Sequence, residues 1–198
     1  MTVIIARRAL LLGGAAIAAV AAISPALAGE AEAANAVAWM LGDNLSLGAL
    51  IYARGGEQKD IDGYFGQARA IAKNINLEIP DLPAKSDDTS QTSADVIHYL
   101  IAGDGWHVGE QLASDYGDKP GALFEVAVKS NLLLLLYGPG DDSGIGDIIK
   151  SRLDGLLPPE LWQPVLDAIA AKKSADEVQE AVFTMHESVA QYLVKAAN

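Results

Sequence analysis

Residues 129–146 read KSNLLLLLYGPGDDSGIG, and residues 44–63 repeat the same pattern as NLSLGALIYARGGEQKDIDG. In both stretches a leucine-rich run ends at a tyrosine, glycine and acidic residues follow, and an isoleucine is placed to begin a second helix. Gly56 aligns with Gly140 and Ile61 with Ile145 at one and the same separation. The pattern therefore predicts that the chain contains two copies of one helical unit.

A second pair of segments extends the duplication. Residues 93–95 and residues 174–176 both read SAD, and each triplet opens a predicted helix. His107 and His186 fall in corresponding parts of these helices when a small gap is allowed. Self-similarity of this kind is typical of stacked or two-fold related helical units. We therefore predict units at about residues 31–117 and 119–198; chance similarity between amphipathic helices is the alternative.

Residues 1–28 have the three parts of a secretory signal peptide. Arg7 and Arg8 form the basic region, residues 10–23 contain only Ala, Leu, Ile, Val and Gly, and residues 26–28 (ALA) provide a small-x-small cleavage site. The apolar run is shorter than the roughly 20 residues of a membrane-spanning helix. We predict a cleaved leader and a periplasmic or secreted protein, with an uncleaved anchor as the alternative.

The leader also resembles a twin-arginine export signal. Arg7 and Arg8 are followed closely by two leucines, and the apolar core is only weakly hydrophobic. The match is partial, because Ala6 stands where Ser or Thr is expected and no Phe follows. Ordinary secretion therefore stays open beside the twin-arginine route, which exports proteins that have already folded.

Charge and cysteine content exclude several classes of function. Cleavage removes two arginines and no acid, so the net charge changes from −12 to −14. Because such a surface repels phosphate, we expect neither nucleic acid nor an anionic membrane as a partner, and no stable membrane insertion after cleavage. The chain has no cysteine, which excludes disulfides, thiolate catalysis, thiolate zinc sites and iron–sulfur clusters.

Apolar residues recur at helical steps along the mature chain, and no stretch alternates as a strand does. We therefore predict a single all-α domain over residues 29–198, a helical bundle built from the two units in tandem. The predicted helices are residues 31–52, 61–76, 93–116, 122–137, 144–155 and 175–197, with a short helix opening at Pro158 and a loop at residues 77–92. Five consecutive leucines, residues 132–136, indicate that the fourth helix is central and covered on most sides.

The predicted helix at residues 93–116 carries most of the candidate binding residues. On a helical wheel, Asp104 falls in the middle of an apolar face, His107 lies on its edge, and Trp106 lies on another side. The apolar face consists of Ile97, Leu100, Ile101, Val108 and Leu112. Each of three glycines costs roughly 1 kcal/mol in a helix interior. They therefore predict either close packing of a neighbour against the small strip Ala102, Gly105, Gly109 and Ala113, or a break at residues 103–105.

Metal or haem binding is one hypothesis for the histidines. The pair Asp104 and His107 is one turn apart, a spacing that lets a carboxylate orient an imidazole or join it on a metal. A two-fold relation between the units would let His107 and His186 face each other and hold a divalent metal or a non-covalent haem. The alternative is that the two histidines are unrelated and hydrogen-bonded to their own neighbours.

The sequence lacks the usual catalytic signatures, including HExxH, GxSxG, the Walker loop and GxGxxG. We therefore predict an exported binding or adaptor protein without enzymatic activity and without a resident cofactor. Its ligand is either an apolar small molecule between the two units, where bundles commonly bind ligands, or another envelope protein on an exposed helix face. The candidate ligand-binding residues are Asp104, Trp106, His107 and His186.

Overall fold

The computed structural model describes residues 31–136 and 145–197, and every regular element in these ranges is an α-helix. The helices are α1 (Ala31–Ala53), α2 (Gln58–Asn74), α3 (Thr89–Ile101), α4 (Asp104–Tyr116), α5 (Asp118–Leu136), α6 (Ile145–Leu153), α7 (Pro159–Ala170) and α8 (Ala175–Ala197). The predicted all-α class is confirmed for these residues. The predicted leader and Gly140 of the predicted second copy lie outside the described residues.

The central helix of the bundle is α1. It is the helix of the described chain that is long and apolar enough to cross a membrane, yet most of that apolar stretch is buried inside the protein. Trp39, Leu41 and Leu45 are completely buried. A helix that is apolar on all sides needs cover on all sides, and α5, α2, α3, α4 and α8 provide it.

The second buried helix is α5, as its leucine run predicts. Leu132, Leu133 and Leu134 are buried, and the helix lies along α1 in the most extensive packing contact of the bundle. At the closest point, a Cβ on Gly42 would stand 2.7 Å from the carbonyl oxygen of Phe124. Real Cβ atoms do not come so close to backbone, so α1 and α5 meet here backbone to backbone.

The helix predicted at residues 93–116 is in fact two helices. Asp88 caps α3, because its side chain accepts a hydrogen bond from the backbone N–H of Ser90, and α3 ends at Ile101. Gly103 is the N-cap of α4. The break rotates the two halves relative to each other, so the predicted apolar face is wrong at Ile101, which is 40% exposed, and at Asp104, which is also exposed.

Both predicted uses of the glycines occur in this region. The chain breaks at Gly103, and the small strip packs closely further along α4. A Cβ on Gly109 would stand 2.6 Å from the ring of Phe124, and one on Gly121 would stand 2.6 Å from the Cβ of Ala113. The absence of these side chains lets α4 approach α5.

The last helix, α8, has the predicted bounds but a different buried stripe. Val178, Val182, Met185 and Val189 are buried as predicted. The stripe then passes through Leu193, whereas the predicted Tyr192 is 43% exposed. Because α8 packs against α7 as well as α1, its buried face is wider than one stripe and also includes Phe183.

A capping box opens α8. The backbone N–H of Glu177 donates to Oγ of Ser174, and the backbone N–H of Ser174 donates to the carboxylate of Glu177. Hydrogen bonds from Lys173 and then from Ser174 lower the pKa of Glu177 to about 2. A lowered folded-state pKa means that the stabilisation is present above pH 4.5, the ordinary value, and is lost as the pH falls toward about 2.

Replacing Ser174 with alanine is expected to lower the free energy of unfolding by about 1 kcal/mol, because the Glu177 N–H loses its acceptor. Urea denaturation followed by circular dichroism measures the change. Ser114→Ala, at an exposed position of α4, is the matched control, and its effect is expected to stay within about 0.5 kcal/mol. Equal losses in the two variants would contradict the capping role.

Candidate functional site

The three candidate residues of the first half lie together on α4. Asp104 and His107 are exposed, and Trp106 is partly buried. Glu110 connects two of them: its carboxylate is 2.6 Å from Nδ1 of His107 and accepts a 3.2 Å hydrogen bond from Nε1 of Trp106. The bond from His107 lowers the pKa of Glu110. The structure thus pairs His107 with Glu110 rather than with Asp104.

His186 lies in a different environment, where α1, α5 and α8 meet. It is 4% exposed, and its Nε2 is 2.7 Å from Oγ of Ser130. Its Nδ1 is 2.8 Å from Oδ1 of Asp43, at ion-pair distance but without the alignment of a hydrogen bond. Trp39 covers the imidazole with its ring, 4.8 Å between centroids, and donates a 3.3 Å hydrogen bond to the His186 carbonyl.

Asn131 completes this cluster between α1 and α5. Its Nδ2 donates to Oδ1 of Asp43 over 2.8 Å and to Oγ of Ser46 over 3.0 Å. The carboxylate of Asp43 therefore contacts α5 through Asn131 and α8 through His186. We call this cluster the three-helix junction: Trp39, Asp43, Ser46, Ser130, Asn131 and His186.

Part of the junction has the spacing of an acyl-transfer site. Ser130, His186 and Asp43 follow one another as nucleophile, base and orienting acid do. Ser130, however, is 1% exposed, and its Oγ is 2.7 Å from the Val126 carbonyl of its own helix. The backbone N–H groups beside Ser130 bond within α5 and are not available to stabilise an oxyanion. The geometry therefore suits fixing three helices better than turning over a substrate.

The two imidazoles of the metal or haem hypothesis have separate partners. His107 lies beside Glu110 on the surface, whereas His186 presents one nitrogen to Ser130 and the other to Asp43. Within residues 31–136 and 145–197, no group of three or more His, Asp or Glu side chains is placed to hold a metal ion. The structure does not bring the two imidazoles to a common ligand.

Sequence reasoning selected His186 but missed its partners. Asp43 and Asn44 interrupt the apolar run of α1, and Ser130 and Asn131 directly precede the leucine run of α5. Polar side chains inside a buried helix need hydrogen-bond partners. That rule would have marked both pairs, although it would not have told which residues they contact.

The segment between α2 and α3 is an extended strap, residues 75–88, which contains no helix. Tyr99 and Tyr52 donate hydrogen bonds of 2.8 and 2.6 Å to the carbonyls of two prolines in the strap, and burial raises the pKa of Tyr99. A groove of about 340 Å³ lies between Arg69 and residues 77–81. This groove belongs to the first predicted unit rather than to a space between the two units.

The segment that forms the strap, α3 and α4 is rich in exposed acidic residues. Residues 78–118 contain nine Asp and Glu residues and one Lys. We call its exposed carboxylates the acidic face: Glu78, Asp81, Asp87, Asp88, Asp104, Glu110, Asp115 and Asp118. Two of them have basic partners, because Asp81 pairs with Arg69 and Glu110 lies beside His107. Ile101, at the break between α3 and α4, adds an exposed apolar side chain; among the described residues Tyr192 is the other large one.

Comparison of the chain with models of protein families, with curated proteins and with solved structures finds no match.

Proposed function

We propose that the chain is an exported, non-catalytic helical adaptor that binds a basic protein of the cell envelope on its acidic face. The observation that carries the proposal is the concentration of exposed carboxylates along residues 78–118, with Ile101 among them. A surface of one sign steers an oppositely charged partner and speeds encounter. An exposed apolar side chain within it supplies area that is buried on contact.

Close packing inside the bundle supports a protein partner over an apolar small molecule between the two units. The backbone contact at Gly42 leaves no room for a ligand between α1 and α5 at that point. A Cβ on Gly48 would stand 2.5 Å from the ring of Phe65, so this ring fills the space beside α1 there. Both positions lie on the helix that a central ligand would have to contact.

We also propose that residues 31–117 and 119–198 are two related helical units. Helix packing supports this: the supposed equivalents α1 and α5 pack on each other, while α4 packs on α5 and α8 packs on α1. A two-fold relation that exchanges α1 with α5 also exchanges the contact of α4 on α5 with the contact of α8 on α1. The units differ where the strap of the first corresponds to α7 of the second, and where the separate helices α3 and α4 correspond to the continuous helix α8.

Export is proposed on the leader pattern of residues 1–28. The apolar helix α1 follows that leader in the chain, but its cover by five other helices supports a role as the core helix of a folded domain. We therefore assign the export signal to residues 1–28 and the role of core helix to α1.

A photo-crosslinking amino acid in place of Ile101 is expected to capture an envelope protein in intact cells. Capture should fall about tenfold between about 50 and about 200 mM salt, because screening weakens attraction between exposed charges. Neutralising part of the acidic face with Glu78→Gln, Asp87→Asn and Asp115→Asn should reduce capture by a similar factor. The captured protein, identified by mass spectrometry, should be basic.

The matched control neutralises three exposed acids elsewhere, with Asp154→Asn, Glu160→Gln and Asp167→Asn. It changes the net charge equally and is expected to leave capture unchanged. The crosslinker placed at the exposed Tyr192 should give no product. Capture that is equal from Tyr192, or that responds equally to both triple variants, would rule out the acidic face as the docking surface.

A further inference from the structure

The hydroxyl of Ser130 has one proton and three acceptors within reach, of which the carbonyl of Ala127, at 3.1 Å, is the most distant. Its Oγ is 2.7 Å from the carbonyl of Val126 and 2.7 Å from Nε2 of His186. If the hydroxyl donates to Val126, then Nε2 must carry a proton and donate to Oγ. If the hydroxyl donates to Nε2, that nitrogen must be without a proton. The direction of one O–H bond is therefore tied to the protonation of His186.

The other nitrogen of the imidazole carries a proton in both arrangements. Nδ1 of His186 is 2.8 Å from the carboxylate of Asp43, and a bare nitrogen there would set a lone pair against a negative charge. The contact is poorly aligned for a hydrogen bond, but Coulomb attraction depends on distance rather than on that angle. The contact is therefore at its strongest when His186 is a cation.

Few charges other than Asp43 are placed to compensate a cation on His186. From α5 it faces the uncharged Ser130. The charged residues of α5 that precede Ser130, Glu125 and Lys129, pair with each other, and Glu125 also lies 3.3 Å from Arg152. Its own helix places the partly buried Glu187 next to it in sequence. The carboxylates of α7, Glu160 and Asp167, are exposed.

We propose that Ser130, His186 and Asp43 form a buried proton switch. In the charged form, Nε2 donates to Ser130, Ser130 donates to the Val126 carbonyl, and the imidazolium pairs with Asp43. In the neutral form the Nε2 proton has passed to water, and the Ser130 hydroxyl has turned to donate to Nε2. Neither form leaves Ser130 or Nε2 without a hydrogen-bond partner, so both forms are compatible with the packed helices. The ion pair that joins α8 to α1 thus follows the surrounding pH.

Nitrogen NMR of the imidazoles tests the switch on the whole protein between about pH 5 and about pH 9. His186 is expected to keep its proton on Nδ1 throughout and to lose the proton on Nε2 as the pH rises. His98 and His107, which are exposed, are internal references. A His186 that keeps one protonation state over the whole range, or that retains its proton on Nε2 when neutral, would overturn the proposal.

The variant Asp43→Asn removes the charge and keeps the shape of the side chain. At the pH where the wild-type protein has equal amounts of the two forms, the ratio of charged to neutral His186 is expected to fall about tenfold in the variant. An unchanged ratio would show that the carboxylate does not hold the proton. The spectra of His98 and His107 should be unaffected, which also confirms that the variant is folded.

Trp39 offers a second readout. In a protein in which the other tryptophans are replaced (Trp106→Phe and Trp162→Phe), emission from Trp39 is expected to rise as His186 loses its charge, because an imidazolium in contact with an indole quenches it. The same protein carrying His186→Gln should show no such pH response. A response that persists without His186 would count against the switch.

Discussion

Replacing Trp39 with alanine is expected to lower the free energy of unfolding by about 3–5 kcal/mol. Trp39 is completely buried on the central helix, and its ring lies against His186 in the three-helix junction. Truncation removes a large apolar area and leaves a cavity where three helices meet. The hydrogen bond from Nε1 to the His186 carbonyl is lost as well. Urea denaturation at one pH measures the change.

Two further substitutions identify the cause of that loss. Trp39→Phe keeps most of the ring volume but not the donor, and is expected to cost clearly less than Trp39→Ala. Trp106→Ala removes the same side chain from α4, where it is only partly buried and lies 5.4 Å from the ammonium of Lys129. Its expected cost is about 1 kcal/mol or less. Comparable losses at Trp39 and Trp106 would show that the junction is not a core contact.

Replacing Gly42 with alanine is expected to destabilise the protein by about 1–3 kcal/mol. The result is informative because alanine favours a helix over glycine by about 1 kcal/mol, so the two effects have opposite signs. The new Cβ would stand 2.7 Å from the carbonyl oxygen of Phe124, and a backbone atom cannot turn aside as a side chain can. The variant can fold only if α1 and α5 move apart.

Gly66→Ala is the matched control for this prediction. Gly66 is also inside a helix, α2, but a Cβ there meets nothing within 4 Å. The substitution is therefore expected to stabilise the protein by about 0.5–1 kcal/mol. Opposite signs at Gly42 and Gly66, measured by the same denaturation experiment, would support the backbone contact. A stabilising Gly42→Ala would exclude it.

The fold class and most helices could be predicted because their signals are local. The bounds of α8 follow from its periodicity and from a cap at Ser174, and the burial of α5 follows from its leucines. The glycines of residues 103–109 were ambiguous because a break and a close contact both require a missing side chain. In the structure the break occurs at Gly103 and the close contact occurs at Gly109. A single sequence contains nothing that tells these two uses of glycine apart.

The junction could not be predicted because its contacts are not local. The bond between Ser130 and His186 spans 56 residues, and that between Trp39 and His186 spans 147. A periodic pattern identifies the buried face of each helix but not the helix that covers it. His107 and His186 therefore looked equivalent in the sequence, although one is exposed and the other is buried among polar partners.

Trp39 and His186 are far apart in the sequence, and this separation affects how the protein folds during its synthesis. The ribosome makes α1 before α5, which begins at Asp118, and before α8, which begins at Ala175. Both helices cover α1 in the folded protein. Until α5 and α8 emerge, α2, α3 and α4 cover α1 only in part, and chains with exposed apolar surface aggregate readily. Contacts between distant parts of a chain also form slowly. We expect newly made chains to depend on a chaperone until α8 has emerged, and chains cut short before α8 to precipitate rather than to persist as half-folded monomers.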